Sequence, residues 1–509
     1  MKKYIFLMPF IILMGFILMT SCGDDFLTAG STEKKLAGDE ATEEVILANL
    51  ASAYQILLFD SYANGNYNSV LLMSDLRSDD IYKGGENPGD QRPLYLLAMF
   101  NSNSRETLGG LWSIYFTGLA RTNNVLLACD NVTGVAESRL NQYRAEAHFL
   151  RAYYVHLLWK FWGNIPYFEE SLNKSPFMAA QLDADEIYQK IMADIDFAAT
   201  EGYLPMKSTM IGRVNRAAVL MLKARVVLYQ KDTARYPEIT KDMAAIIKSG
   251  QYDLFEDFDA MWLDENEFCK ESIFESNQLP EGKRWDSGWQ GYGTNLPAFI
   301  SPNGLKDPDK IFKEGWSFGP VRPEAYAMYE PGDTRRDGSI NDWSGVVYTS
   351  RFQDTGLFMR KYAAREGYNP PPGDQDLNYA NNLRLFRYAE TLLNYAELVT
   401  LSGQSPVDGI TAQDCLDKIR YRAFGKAASI PATAQNIKLE RRREFLGEGM
   451  RFWDLVRWGD ATQVLTEVNE EYNATRTFSE WMKHIPIPQS EIDKTKNTDF
   501  ELKQVGQWN

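Results

Sequence analysis

Apolar residues recur at three- and four-residue spacings along much of this 509-residue chain, and this period predicts amphipathic helices. The segment "GDEATEEVILANLASAYQILLF" (38–59) combines the pattern with acidic residues in its first turn, where negative charge complements the helix dipole. The same pattern predicts further helices near 108–130, 137–162, 184–201, 214–230, 236–249, 387–402, 411–424 and 437–459. The chain is therefore predicted to be mainly α-helical.

The predicted helices come in pairs. Two examples are "NRAAVLMLKARVVLYQ" with "EITKDMAAIIKSG", and "RLFRYAETLLNYAELVTLSG" with "TAQDCLDKIRYRAF". Each pair carries alanines where two helices could approach closely, as in tetratricopeptide packing. Long insertions separate the pairs, so a strict period of about 34 residues is absent. We predict tetratricopeptide-like helix pairs rather than a regular solenoid.

The helical period is lost between about residues 251 and 386. Short strand-like segments and loops rich in Gly, Pro, Trp and Asp replace it, and we interpret this region as an excursion from the helical frame. A second irregular stretch, "SDLRSDDIYKGGENPGDQRP" (74–93), interrupts the N-terminal helices. Loops that a rigid scaffold displays often carry binding residues, so both regions are candidates for a ligand site.

The excursion contains "GKRWDSGWQGYG" (282–293), in which Trp285, Trp289 and Tyr292 lie among four glycines. Their spacing would align the rings on one helix face, but the glycines disfavour a helix. Large rings on a loop tend to mark a binding surface. We predict an aromatic platform, with Trp316 and Trp343 as possible companions. The alternative is that these rings only pack the excursion onto the frame.

Two catalytic interpretations receive little support. The segment "GWSFG" (315–319) matches the GxSxG motif of serine hydrolases, with Ser317 as the nucleophile. That motif needs a helix directly after the serine, whereas Pro320 and Pro323 follow here, and His484 is the only histidine downstream.

A glycosidase could draw paired carboxylates from Glu324, Glu330, Asp333 and Asp337. Its chemistry depends on a carboxyl separation of about 5 to 9 Å, which spacing along loops does not determine. A surface glycosidase is therefore kept as a less favoured alternative.

The charge of the chain narrows the choice of ligand. A net charge of −15 and a pI near 4.9 oppose binding to nucleic acid or to anionic membranes by general electrostatics. The chain has three histidines and no CxxC spacing, which disfavours a transition-metal enzyme. We predict a neutral ligand and no cofactor.

The first residues resemble a secretion signal. Lys2 and Lys3 precede the apolar run "YIFLMPFIILMGFILM", after which "TSC" and "GDD" follow. A transmembrane anchor is the alternative, but the run is barely long enough to span a bilayer and contains Pro9. We predict a signal peptide over 1–21 and a mature chain over 22–509.

Cys22 is the predicted anchor of the mature chain. The sequence "MTSC" resembles a bacterial lipoprotein cleavage site, with Met19 in place of the usual leucine. Several acyl chains on such a cysteine would give stable membrane attachment. Asp24 and Asp25 resemble the acidic signal that directs some lipoproteins to the outer face of the outer membrane. The remaining cysteines are predicted to be buried free thiols.

The segment "ERRREFLGEGMRFWDLVRWGD" (440–460) concentrates charged and aromatic residues. Helical spacing would align them as ion pairs and packing layers, so a structural role is predicted. The residues concerned are Glu440, Glu444, Arg443, Arg451, Phe445, Trp453 and Trp458.

This segment, followed by "HIPIPQSEID", resembles the C-terminal signature of the SusD/RagB-like family of surface nutrient-binding lipoproteins. Further blocks resemble the family in the same order along nearly the whole chain. They are "CGDDFL", "RAEAHFLRAYYVHLLWKFWGNIPYF", "GRVNRAAVLMLKARVVLY", "ESIFE", "GDTRRD", "RKY" and "FRYAETLLNYAE".

The resemblance implies one mostly helical domain built on four tetratricopeptide-like pairs. In this chain it implies a scaffold over about 38–250 and 387–460, a variable ligand-binding excursion over about 251–386, and a C-terminal segment over 461–509. Members of the family bind and do not catalyse. They lie over a SusC-like TonB-dependent transporter in the outer membrane and pass oligosaccharide to it.

The resemblance also implies candidate ligands and polar contacts. Starch-binding members combine aromatics of the variable region with polar groups from the N-terminal irregular stretch, here Asp75, Asp80 and Tyr82. The first functional hypothesis is capture of oligosaccharides. The RagB-type branch is associated with peptides, so peptide capture by the same architecture is the second.

Overall fold

The computed structural model describes residues 42–59, 69–170, 178–280, 282–286 and 293–508, together with the backbone of 62–63 and 66–67. The predicted signal peptide, Cys22, Trp289 and Tyr292 lie outside the described residues. Within them the chain forms seventeen α-helices and little strand. The predicted mainly α fold is confirmed.

The helices are numbered here in chain order. They are α1 Glu43–Gln55, α2 Val70–Asp75, α3 Arg92–Ala98, α4 Gly110–Asn131, α5 Glu137–Trp162, α6 Ala184–Ala198, α7 Arg216–Gln230, α8 Tyr236–Lys248, α9 Leu296–Ile300, α10 Pro323–Ala327, α11 Thr334–Ser339, α12 Tyr388–Thr400, α13 Ala412–Phe424, α14 Ala434–Phe445, α15 Arg451–Trp458, α16 Ala461–Leu465 and α17 Gln489–Thr495.

The described strands are short and form two-stranded antiparallel pairs. They are β1 Tyr62–Ala63 with β2 Asn66–Tyr67, β3 Ile165–Pro166 with β4 Gln181–Leu182, β5 Ser272–Ser276 with β8 Leu383–Arg387, and β6 Ile340–Asp342 with β7 Leu357–Met359.

Side-chain caps fix where several predicted helices begin. Asp183 caps α6 in a reciprocal capping box with Glu186, and Thr411 caps α13 in the same way with Asp414. The side chain of Asn215 accepts a hydrogen bond from the amide of Ala218 at the start of α7. These caps satisfy amide groups that the helix itself leaves unpaired.

Consecutive helices pack against each other, including the predicted partners α7 with α8 and α12 with α13. Small residues permit the close approach of α4 and α5. A Cβ atom at Gly118 in α4 would lie 2.5 Å from Cδ2 of Tyr154 in α5, closer than packing allows. The tetratricopeptide-like geometry of these pairs stays a prediction.

The prediction of one helix over 437–459 is wrong, because a turn separates α14 from α15. Gly447 and Gly449 have φ values of +80° and +71°, in the left-handed region that favours glycine. The turn places Glu448 in the interior, where its carboxylate accepts hydrogen bonds from Arg387 Nε at 2.8 Å and Lys361 Nζ at 2.6 Å.

The excursion begins and ends next to one pair of strands. Strand β5 lies near its start and pairs with β8, which leads directly into α12. All five residues of β5 are buried, so the pair is part of the core. The loops between these strands are therefore displayed from a rigid base.

The predicted structural role of residues 440–460 is confirmed by a buried ion network around Glu444. Its carboxylate lies 3.0 Å from Arg335 Nη1 and 2.7 Å from Arg387 Nη1, and it also pairs with Arg422. Glu440 adds a second contact to Arg335 at 2.6 Å. The network joins the C-terminal signature to the "GDTRRD" and "FRYAETLLNYAE" blocks, which are far apart in sequence.

The cysteines of the described residues form no disulfide bond. Cys129, Cys269 and Cys415 are free thiols, as predicted, although Cys269 is half-buried rather than buried. Burial raises the pKa of Cys129 to about 11 and that of Cys415 to about 12, so both stay protonated. No helix in this part of the chain has the length and apolar character needed to cross a bilayer.

Candidate ligand-binding site

Trp285 and Trp316 lie side by side on the excursion. Their ring centroids are 5.9 Å apart and the ring planes are inclined by 32°. Trp285 is 39% exposed, and Trp316 is half-buried. The structure thus brings together two of the aromatic residues singled out from the sequence, on a surface that a ligand can reach.

The short helix α9 holds Trp316 in position. Its amide donates a hydrogen bond to the carbonyl of Ala298 at 2.7 Å, and its ring meets Phe299 edge to face at a centroid distance of 4.9 Å. Phe299 belongs to the main hydrophobic core. The position of the Trp316 ring is therefore determined by the scaffold.

Trp285 is positioned by hydrogen bonds to the segment 373–378. The amide of Lys283 donates to Asn378 Oδ1 at 2.7 Å, and the amide of Trp285 donates to Asp374 Oδ2 at 2.8 Å. Gly373 has a φ of +99°, and a Cβ atom there would lie 2.6 Å from the carbonyl oxygen of Lys283. Glycine is therefore required where these two backbones meet.

Polar side chains flank the two rings. Asp376 forms a hydrogen bond with the Trp316 side chain, and Lys313 Nζ donates to Asn369 Oδ1 at 3.0 Å. Burial raises the pKa of Asp376, against the opposing effects of Lys313 and of the bond with Trp316. We call this group of residues the Trp285–Trp316 site. It comprises Trp285, Trp316, Lys313, Asp374 and Asp376, whereas Asn369 is buried beneath Lys313 and is not part of it.

The N-terminal irregular stretch does reach this part of the molecule. Ile81 and Gly84 form isolated antiparallel bridges with Val321 and Phe318, in the segment that directly follows Trp316. Gly84 has a φ of +69°, and a Cβ atom there would lie only 2.2 Å from the carbonyl oxygen of Ser317. The two irregular regions thus meet through backbone contacts that need glycine.

The three polar candidates of that stretch nevertheless have buried side chains that contact other residues. Asp75 and Asp80 are fully buried; Asp75 Oδ2 accepts from the amide of Gly449, and Asp80 Oδ1 accepts from Arg442 Nε at 2.7 Å. Tyr82 is 2% exposed and stacks on Tyr472 at a centroid distance of 4.8 Å. Burial against the scaffold leads us to omit all three from the proposed site.

Trp343 also differs from its predicted setting. It is 7% exposed, and its ring meets Phe312 edge to face at 5.6 Å within a small core cluster that includes Leu305 and Phe358. Packing leaves little of the ring for a ligand, so Trp343 is omitted as well. Trp289 and Tyr292 stay predictions, since they lie outside the described residues.

Three of the residues considered for catalysis have other partners. Ser317 is buried, and its hydroxyl accepts a hydrogen bond from the amide of Asn303 at 2.8 Å. Among the candidate carboxylates, Asp333 pairs with buried Arg335 at 2.7 Å and Glu330 pairs with Arg420 at 2.9 Å. These contacts assign Ser317, Asp333 and Glu330 to the scaffold.

Sequence reasoning missed the segment 369–378, "NPPPGDQDLN", which supplies Asp374 and Asp376. Its Pro-Gly turn followed by alternating carboxylates was the only available signal. That signal is weak, because exposed acidic turns are common in a chain with this net charge. The hydrogen bonds to Lys283 and Trp285 identify the segment only once the fold is known.

Comparison with known proteins agrees with this fold. A profile described as "SusD family" matches residues 270–504, and one described as "Starch-binding associating with outer membrane" matches residues 92–228. The chain belongs to the SusD/RagB-like family.

Three solved structures are similar over most of the chain. Surface glycan-binding protein A from Bacteroides fluxus is 67% identical, with a TM-score of 0.90 over 92% of this chain and 100% of that one. Surface glycan-binding protein A from Bacteroides thetaiotaomicron, in complex with laminarihexaose, is 36% identical, with a TM-score of 0.85 over 92% and 100%. A laminarin-binding SusD-like protein is 28% identical, with a TM-score of 0.79 over 92% and 100%.

Proposed function

We propose that this chain is a non-catalytic cell-surface protein that captures glucose oligosaccharides of the laminarin type at the Trp285–Trp316 site. The observation that carries the proposal is the accessible indole pair, flanked by two carboxylates and an ammonium group. The choice of sugar is supported by the similarity to one protein solved with laminarihexaose and to another described as laminarin-binding.

The geometry suits a sugar better than an ion. One face of a glucose ring presents C–H groups that can lie on an indole, while its hydroxyls bond to water, carboxylates and amides. If each ring buries about 80 Å² of apolar area, the gain is roughly 2 kcal/mol per ring at about 25 cal/mol per Å². Association entropy opposes this gain. Two or three rings together with a few hydrogen bonds would give a Kd of about 10 μM to 1 mM, which still permits release.

Titration calorimetry with matched ligands tests the proposal. Laminarihexaose, a β-1,3-linked chain of six glucose units, is expected to bind in that range. Maltohexaose, with the same composition but α-1,4 linkages, is expected to bind about tenfold more weakly or worse. A mixture of short peptides serves as the third arm. Binding of peptides in preference to both sugars would overturn the proposal and favour the RagB-like alternative.

We also propose that Cys22 is lipidated and anchors the protein to the outer membrane, facing the exterior. The motif "MTSCGDD" after an apolar run and the family description that mentions the outer membrane support this location. In the Cys22→Ala variant, the protein is expected to leave the membrane fraction for the soluble fraction. A variant that stays in outer-membrane fractions and resists washing would contradict the anchor.

The proposed partner is a SusC-like TonB-dependent transporter, to which the captured oligosaccharide is delivered. Membership of the family supports this partner. Affinity purification in mild detergent, from native cells that express both proteins, is expected to recover the pair in comparable amounts. Recovery of this protein alone would contradict the partnership.

A further inference from the structure

The centre of the helical frame contains two adjoining cavities that share no lining residue with the Trp285–Trp316 site. Their volumes are about 90 and about 30 Å³. Both are lined by Lys160 of α5, Arg225 of α7, Glu390 of α12, and Met450 and Trp453 at the start of α15. We call the two together the Lys160 cavity.

Lys160 lines this cavity, and its ammonium group lies over aromatic rings. Its Nζ atom is 4.2 Å from the centroid of the Trp453 ring and 5.8 Å from that of Tyr229. Within the described part of the chain, Lys160 takes part in no ion pair. Lys160 is half-buried, and its three N–H donors are left for an acceptor that occupies the cavity.

Two more polar groups of the smaller cavity have unused donors. The hydroxyl of Tyr229 and Nδ2 of Asn394 are buried without a hydrogen-bond partner among the described residues. The nearby carboxylates already accept strong bonds. Both oxygens of Glu390 accept from Arg225 at 2.6 Å, and Asp454 accepts from arginines of α14 and α15.

Free donors therefore exceed free acceptors around the cavity. A water molecule would add two donors of its own, whereas an oxyanion only accepts. Six arginine or lysine side chains line the two cavities, and the five arginines all pair with carboxylates, which leaves Lys160 as the lining cation without an ion pair in the described part of the chain. We propose that the Lys160 cavity binds a small oxyanion of the sulfate or phosphate class, a site that goes beyond glycan capture.

The protonation of Lys160 makes the proposal sensitive to pH. Burial lowers its pKa to about 7; Arg225 and Arg457 add to this effect, while Asp454 and Glu390 oppose it. His156, on the same helix, is neutral because burial lowers its pKa well below the usual value. The ammonium form is thus populated below about pH 7 and lost above it, and anion binding is expected to follow.

Sulfate is the probe of choice, because its charge is constant between about pH 6 and 9. Calorimetric titration of the purified protein, at constant ionic strength set with sodium chloride, is expected to give saturable binding at pH 6.5. Binding should be about tenfold weaker at pH 8.5, where Lys160 is mostly neutral. The absence of saturable binding at pH 6.5, or an affinity that does not change with pH, would overturn the proposal.

Three variants locate the site. Lys160→Met keeps the length of the side chain and is expected to weaken sulfate binding at least tenfold. Lys190→Met removes an ammonium that pairs with exposed Glu169 and should leave the affinity unchanged. Tyr229→Phe removes only one hydroxyl and should weaken sulfate binding several-fold. It tests the site even if Lys160→Met does not fold. Equal sulfate affinity in wild type and in a folded Lys160→Met or Tyr229→Phe variant would contradict the site, whatever the glucan affinity.

Discussion

The double variant Trp285→Ala/Trp316→Ala is expected to bind laminarihexaose at least about 100-fold more weakly than the wild type. Two indole faces contribute roughly 4 kcal/mol at about 2 kcal/mol each, and each 1.4 kcal/mol corresponds to about a tenfold change in Kd. Calorimetric titration of both proteins measures the difference. Since Trp316 also packs on Phe299, the melting temperature of the variant must be checked first.

Two other aromatic residues provide controls. Tyr421 is an exposed aromatic on α13, and Tyr421→Ala should leave glucan affinity unchanged. Trp343→Phe changes a buried ring and should lower the melting temperature while preserving affinity. If the folded double variant keeps wild-type affinity, the two tryptophans are only structural and the ligand site lies elsewhere.

Glu444→Gln is expected to reduce the free energy of unfolding by about 3 to 5 kcal/mol, because it breaks a buried ion network on one side only. The guanidinium groups of Arg335, Arg387 and Arg422 would lose the carboxylate that they share. Urea denaturation measures the effect. Glu480→Gln, at an exposed ion pair with Lys483, should change stability by less than about 1 kcal/mol.

Lowering the pH is expected to weaken the same ion network. Burial alone would raise the pKa of Glu444, but Arg422, Arg387 and Arg335 together hold it well below the ordinary value. A carboxylate of this kind stabilises the fold above its unfolded pKa of about 4.3, and the stabilisation is lost as the pH falls towards the folded pKa. Stability should fall less steeply below pH 4 in Glu444→Gln than in the wild type. Equal stability and equal acid profiles would exclude this role.

Much of the helical frame is predictable from sequence because its helices share the same three- and four-residue spacing of apolar residues. The apolar stripe of α6 repeats within a few positions of sequence, so the bounds of this helix were predicted to within three residues. The error at 437–459 arose because the surrounding helical period outweighed Gly447 and Gly449. Both glycines adopt left-handed conformations, which local sequence permits but does not require.

The candidate site was only partly predictable. Trp316 and Trp343 both lie in glycine-containing loops. Trp316 packs on Phe299 and stays half-buried, whereas Trp343 packs on Phe312 and is buried. Exposure of a loop residue depends on tertiary packing, which sequence spacing does not encode. For the same reason, Asp374 could not be connected with Trp285 before the fold was known. The buried aspartates of the N-terminal stretch were suggested by family resemblance. Such a resemblance indicates the region of a ligand site more reliably than its individual residues.

The most direct test of the account is a crystal structure of this protein with laminarihexaose. Glucose rings are expected to stack within about 4 Å of the indoles of Trp285 and Trp316. Sugar hydroxyls are expected to lie within hydrogen-bonding distance of Asp374 or Asp376. An oligosaccharide bound at another surface, with both indoles free of sugar, would contradict it.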